Sequence, residues 1–76
     1  MKKAVLISLE KGEEGKVLYI EGGRRVVRRL ADMGITPGTK VKVLKSNSFS
    51  PIEILVRNSR LVLGKGVARK IWVEKL

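Results

Sequence analysis

Four arginines form the densest group of functional side chains in the sequence: Arg24, Arg25, Arg28 and Arg29. Their spacing places them along one side of a helix, where guanidinium groups can bind carboxylates through paired hydrogen bonds. The arrangement is unfavourable by itself, because like charges four residues apart repel and cations destabilise the first turn of a helix. Asp32, one turn later, can offset part of this repulsion. Two interpretations stay open: a face that awaits an acidic partner, or a solvated face whose long side chains cover the rim of the core.

Catalytic and metal-binding chemistry has little support in the sequence. It contains neither histidine nor cysteine, which removes the usual general base and two strong ligand types for transition metals. Its seven carboxylates are scattered, and the closest three, Glu10, Glu13 and Glu14, lie in a segment typical of a polar turn. We therefore predict no enzyme, no cofactor and no assigned metal ligand. Weak binding of ferrous iron or another transition metal, or binding at an oligomer interface, stays open.

Size and charge narrow the class of protein. With 76 residues and 43% hydrophobic residues, the sequence predicts one folded domain over residues 1–76. A net charge of +10 attracts anions, which include nucleic acid, acidic protein surfaces and anionic lipid headgroups.

The location and habitat of the protein can also be predicted from composition. No apolar run approaches the roughly 20 residues that span a bilayer, and Lys2 and Lys3 are not followed by a signal-peptide core. We expect a cytoplasmic protein without membrane insertion. The absence of Gln, His and Cys beside many charged residues is typical of thermophiles. We expect thermal unfolding with a midpoint above about 65 °C.

The arginines lie on a predicted helix over residues 24–33. Its other half is apolar, and these residues are expected to face the core: Val26, Val27, Leu30, Ala31 and Met33. Gly34 can adopt the left-handed conformation that ends a helix. Pro37 and Gly38 then occupy the second and third positions of a predicted type II turn.

Short strands surround this helix. Alternation and β-branched residues predict strands over residues 16–21, 39–45, 52–57, 60–63 and 70–76, and residues 4–9 could pair as a further terminal strand. Gly12 and Gly15 are expected to bracket a turn, and Asn58-Ser59 to form a tight reversal. Strands of this kind bury their apolar faces best by curling into a barrel. We predict a mainly β fold: a small five-stranded SH3-like barrel with one α-helix in an early connection.

Three large apolar residues are expected outside this barrel. Because side chains alternate along a strand, Leu55 and Trp72 point outward when their neighbours point inward, and Phe49 lies in a polar loop. Such residues indicate a protein contact or self-association, and the alternative is a small cluster beneath a loop. We assign Phe49, Leu55 and Trp72, with the four arginines, as candidate partner-binding residues.

Several segments together resemble the FeoA family. Residues 30–41, LADMGITPGTKV, end a helix in leucine, methionine and glycine and continue through Pro-Gly into an alternating strand. Residues 51–54, PIEI, and residues 60–64, RLVLG, also fit, and the resemblance runs from about Leu9 to Glu74. One departure is visible, because the family often has a glycine shortly before the Pro-Ile and this chain has none in residues 47–50.

The resemblance implies a function. FeoA-like proteins are small cytosolic SH3-like proteins of ferrous iron uptake, and the expected partner is the FeoB transporter, a membrane protein with a cytosolic GTPase domain. The same domain occurs in DtxR-like metal-dependent repressors, but no helix-turn-helix precedes it in this sequence, so we expect the stand-alone form. We therefore predict an accessory or regulatory protein that acts by protein–protein contact, with homo-oligomerisation as an open possibility.

The alternative is a basic SH3-like protein that binds nucleic acid. Residues 15–20, GKVLYI, faintly resemble the start of a KOW motif. Against this alternative, the aromatic residues that could stack on bases are few and are not grouped in the sequence.

Overall fold

The computed structural model describes residues 2–47 and 49–76, which form an antiparallel sheet with helices in its connections. Its elements, in chain order, are β1 (Lys2–Val5), a 3-10 turn (Leu6–Ser8), β2 (Glu14–Ile20), α1 (Arg24–Asp32), β3 (Lys40–Lys45), β4 (Ile52–Val56), β5 (Ser59–Leu63), α2 (Lys65–Ala68) and β6 (Ile71–Lys75). In these residues no helix is both long enough and apolar enough to cross a bilayer.

The strands pair in the order β1-β6-β2-β3-β4-β5, so that β1 and β5 form the two edges. The mainly β architecture and the early position of the helix are confirmed, but the described residues contain six strands instead of the five predicted. The additional strand is β1, which pairs with β6 from Lys2↔Lys75 to Val5↔Trp72. After Val5 the chain turns, because Leu6 enters the core within the 3-10 turn instead of continuing the strand.

The predicted alternation along the strands is confirmed in β3, β4 and β6. Their inward residues each have at most 2% of their surface exposed, and together they form the centre of the core: Val41, Val43, Ile52, Ile54, Val56, Ile71 and Val73. Leu6, Leu9, Val17, Leu30, Ile35, Leu63 and Ala68 complete it. Burial of this apolar surface is the main stabilising term available to so small a domain.

Two glycine positions decide local geometry. Gly34 has φ +88° and ends α1 as predicted, with the Gly34 amide bonded to the Ala31 carbonyl at 2.9 Å and the Ile35 amide to the Leu30 carbonyl at 2.9 Å. Gly15 was expected in a turn but lies inside β2, where a methyl group would meet the Cγ2 atom of Val73 at 2.9 Å. Gly15 therefore lets the β2 backbone approach β6 closely.

The reversal between β4 and β5 occurs one residue earlier than predicted. Arg57 and Asn58 form the two-residue turn, with φ of 48° and 66°, and Val56 pairs with Ser59. Positive φ at both central positions is the signature of a type I′ turn, which matches the twist of the flanking strands.

Helix α1 packs on the core along a narrow line. Leu30 is buried and Val26 is half-buried, but Val27, Ala31 and Met33 are exposed, in contrast to the prediction that all five would face the core. The helical wheel identifies which residues share a side of a helix, but it does not show how wide the underlying strands are. An apolar strip of α1 therefore remains at the surface.

Candidate partner-binding surface

The arginine face consists of Arg24, Arg25, Arg28 and Arg29 on α1, all of them exposed, with Asp32 at its end. The helix begins after Gly23, which provides no side-chain cap, and its first turn contains no acidic residue. The helix dipole and the arginine side chains therefore both add positive potential at the N-terminal end of α1.

The ion pairs within residues 2–47 and 49–76 do not involve this face. They join Lys40 to Glu14 at 3.3 Å, Arg60 to Glu53 at 3.9 Å and Lys75 to Glu13 at 2.9 Å. Glu21 and Asp32 lie three residues from Arg24 and Arg29, and neither is within ion-pair distance of an arginine. The charge of the arginine face is therefore not neutralised by an ion pair within the described residues.

An apolar groove adjoins the arginine face. We use this name for the surface between α1, β5 and α2 that is lined by Val26, Leu30, Met33, Val62, Leu63, Gly64 and Val67, with Arg29 at its edge. Arg29 also lines the arginine face, so the two features share a boundary. Val62 is 61% exposed and Met33 37% exposed, although both are apolar.

Sequence reasoning missed this groove. Val26 and Met33 were expected in the core, and the parity of Val62 on β5 was not assigned. The available signal was the width of the apolar half of α1, which is greater than one short helix on a small sheet can bury.

Trp72 and Tyr19 form an aromatic cluster at a different place. They are cross-strand neighbours on β6 and β2, with ring centroids 6.0 Å apart and an interplanar angle of 16°. The Lys3 Nζ atom lies 5.0 Å from the Tyr19 ring centroid and 5.2 Å from that of Trp72, and the Trp72 indole N–H donates to the Glu21 carboxylate. Trp72 is half-buried and already engaged by these neighbours.

Phe49 and Leu55 occupy two further places. Phe49 is 95% exposed, in a loop where the Asn47 side chain accepts hydrogen bonds from the Phe49 and Ser50 amides at 2.9 and 2.8 Å. Leu55 is half-buried on β4, opposite Lys42 on β3. The structure therefore brings the four arginines together but leaves Phe49, Leu55 and Trp72 on separate parts of the surface.

The acidic residues of the β1–β2 region serve ion pairs and turns. The Glu13 carboxylate accepts a hydrogen bond from the Glu10 amide at 2.7 Å, and this bond, with the nearby Lys75 ammonium, lowers the pKa of Glu13 below its ordinary value of 4.5. In the part of the chain that the structure describes, no three carboxylates come together as ligands for a metal ion.

Comparison with known proteins shows the same domain elsewhere. Residues 5–75 match the FeoA domain family. A protein of Methanocaldococcus jannaschii provisionally named Fe(2+) transport protein A is 40% identical over 65 residues, which are 86% of this chain and 78% of that protein.

Solved structures agree with the sequence comparison. The crystal structure of an iron uptake regulatory protein (FeoA) is 37% identical, with a TM-score of 0.95 over 99% of this chain and 100% of that chain. A manganese-dependent transcriptional repressor is 26% identical, with a TM-score of 0.89 over 97% of this chain and 42% of that longer chain. The mainly β, SH3-like fold predicted from the sequence is confirmed. The chain belongs to the FeoA family.

Proposed function

We propose that this protein is an accessory protein of ferrous iron transport that contacts a FeoB-type transporter and transforms no substrate itself. The observation that carries the proposal is the match of residues 5–75 to the FeoA domain family. The name of the Methanocaldococcus jannaschii relative, which refers to Fe(2+) transport, supports it.

The surface of the protein is suited to a contact role. Four exposed arginines outside the ion pairs of the described residues create a positive face, next to apolar side chains that water solvates poorly. Complementary charges increase the rate of encounter and fix orientation, whereas buried apolar side chains supply affinity. A partner with acidic and apolar groups in one patch satisfies both features.

Docking to the cytosolic part of the transporter gives a mechanism without chemistry on this chain. A ligand that binds one conformation or assembly state more tightly than another shifts the equilibrium toward it. We propose that binding biases the assembly or the GTPase cycle of the transporter in this way.

Copurification tests the proposal. An affinity-tagged form of this protein is expressed with a FeoB-type transporter, crosslinked in intact cells and isolated from solubilised membranes. We expect the transporter among the crosslinked species, and an unrelated tagged protein of similar size and charge serves as the control. Absence of the transporter, or equal recovery with the control protein, contradicts the proposal.

Nucleic-acid binding is the second candidate, because the fold brings Tyr19 and Trp72 into a stack that the sequence did not reveal. Lys3 lies over both rings, so a base can stack there only if Lys3 moves away. Titration with RNA and with DNA over a range of salt distinguishes the candidates. Tight binding that weakens steeply with salt supports this second function, whereas weak binding without preference contradicts it.

A further inference from the structure

We propose that the apolar groove, together with the arginine face, binds an acidic amphipathic segment of a partner protein. The inference rests on the proposed contact function and deepens it, because it names the place of contact and the chemistry of the segment. Apolar side chains of the segment would enter the groove, and its carboxylates would lie on the arginines.

The lining and the size of the apolar groove suit it to bind apolar side chains. Leu30 and Leu63, 1% and 4% exposed, form its floor, and the more exposed Met33 and Val62 line it from the end of α1 and from β5. Its volume of about 290 Å³ lies just below that of pockets that enclose small molecules, which begin near ~300 Å³. Val26 lies on α1 and Met33 directly follows its last residue, so the two are seven residues apart, a distance of about 10 Å along the helix axis. This length accommodates two or three anchoring side chains of a peptide.

Charge determines the type of segment. No carboxylate lines the groove, and Arg29 stands at its edge. The arginine face, which includes Arg29, contains four guanidinium groups and one carboxylate, that of Asp32. Acidic side chains that flank the anchors relieve the like-charge repulsion along α1. The arrangement therefore selects carboxylates beside apolar residues.

Two other occupants fit the groove less well. A second copy of this chain carries the same net charge of +10, so that face-to-face association adds repulsion at the arginines. An anionic membrane complements the charge, but the groove is concave between a helix and an edge strand. A flat lipid surface would not reach Leu30 and Leu63 at its floor, whereas the side chains of a peptide would.

A designed peptide serves as the probe. It is a 15-residue fluorescent peptide with leucine at positions 4, 8 and 11, glutamate at five other positions and alanine at the rest. One control peptide replaces the leucines by serine, and another replaces the glutamates by lysine. We expect binding of the Leu/Glu peptide alone, measured by anisotropy at moderate salt. Amide NMR shifts are expected to concentrate in α1, β5 and α2.

Two matched protein variants locate the site. Met33→Ser removes an exposed groove residue, and Val27→Ser removes a residue of α1 that is equally exposed, 39% against 37%, but outside the groove. We expect Met33→Ser to weaken peptide binding about tenfold, the effect of losing most of one buried side chain. Val27→Ser should change it less than about twofold. Val62→Ser supplies a second groove variant on another element.

The outcomes separate this inference from the proposed function. Lack of peptide binding, or equal effects of Met33→Ser and Val27→Ser, overturns the groove assignment. Met33-dependent binding to phosphatidylglycerol vesicles or to a second copy, in the absence of peptide binding, also overturns it. If crosslinking captures the transporter with wild type and with Met33→Ser alike, the proposed function stands and the groove assignment fails. Peptide binding that depends on Met33, without capture of any transporter, supports the groove and contradicts the proposed function.

Discussion

Substitution of Gly15 by alanine should destabilise the fold, because the new methyl group has no room between β2 and β6. It would lie 2.9 Å from the Cγ2 atom and 3.0 Å from the Cβ atom of Val73. Val73 is fully buried, and its Cβ position is fixed by the backbone of β6, which pairs with β1 on one side and β2 on the other. The clash can therefore be relieved only by separating strands.

The magnitude follows from two opposing effects. Overpacking of a well-packed core costs roughly 1–3 kcal/mol, and replacing a glycine in a strand by alanine returns about 0.5–1 kcal/mol. The expected net loss is about 1 kcal/mol and at most about 2.5 kcal/mol. A loss of about 1 kcal/mol corresponds to a decrease of roughly 4–8 °C in Tm for a domain of this size.

Thermal and urea unfolding followed by circular dichroism measure this loss. The matched control is Gly66→Ala in α2, where a methyl group meets no atom within 4 Å. The control should be neutral or stabilise by up to about 1 kcal/mol. A Gly15→Ala protein as stable as wild type, or a control that loses as much, would refute the close approach of β2 to β6.

Three other predictions concern charge and turns. Arg25→Glu should stabilise the protein against urea by about 0.5–1 kcal/mol, because it removes a like-charge pair with Arg29 and places an acidic residue in the first turn of α1. A loss of stability would contradict an unneutralised arginine face. Asn58 has φ +66°, a conformation that glycine adopts freely and alanine adopts only at a cost. Asn58→Ala should therefore lower the free energy of unfolding by about 1 kcal/mol, whereas Asn58→Gly should not. Equal effects of the two substitutions would argue against the type I′ turn. The pKa of Glu13 in the folded protein is lower than its ordinary value of 4.5. The contribution of Glu13 to the free energy of unfolding is therefore fully present above about pH 4.5 and is lost as the pH falls through the folded pKa. Glu13→Gln should therefore reduce the dependence of stability on acid pH, measured by urea unfolding from about pH 6 to pH 3. An unchanged dependence would contradict the hydrogen bond from the Glu10 amide and the ion pair with Lys75 as the causes of the lowered pKa.

The regular elements of the fold could be predicted because their periodicity is unambiguous. The alternation of lysine and valine in β3 and the division of α1 into charged and apolar halves each fit one type of secondary structure. Gly34 and Gly38 were also predictable, since both need a positive φ that other residues adopt only at a cost.

Features that depend on strand register could not be predicted. Gly15 is typical of a turn in sequence, and its close approach to the Val73 side chain arises only when β2 pairs with β6, where Gly15 lies opposite Lys75. The stack of Tyr19 and Trp72 depends on the same pairing, which includes an irregularity between Val17 and Tyr19. The sequence alone does not indicate which residues on β2 and β6 come into contact.

The candidate surface was predictable in part. The arginines follow directly from helical periodicity, and they lie together as expected. The groove beside them was not predictable, because it depends on how far α1 overlaps the sheet and on the exposure of Val62 at an edge strand. Phe49 lies at the surface as expected, and a role in partner binding stays a prediction for it, as for Leu55 and Trp72.

The affinity of the purified protein for a FeoB-type transporter in nanodiscs tests whether the arginine face is a docking surface. Two double variants with the same change in net charge are compared: Arg25→Glu with Arg29→Glu on the face, and Lys11→Glu with Lys70→Glu at exposed positions elsewhere. We predict that the first variant loses at least about tenfold in affinity, since a desolvated charge pair is worth more than about 1.4 kcal/mol. The second variant should stay within about threefold of wild type. Equal losses in the two variants, or an unchanged affinity of the first, would contradict a specific role of this face.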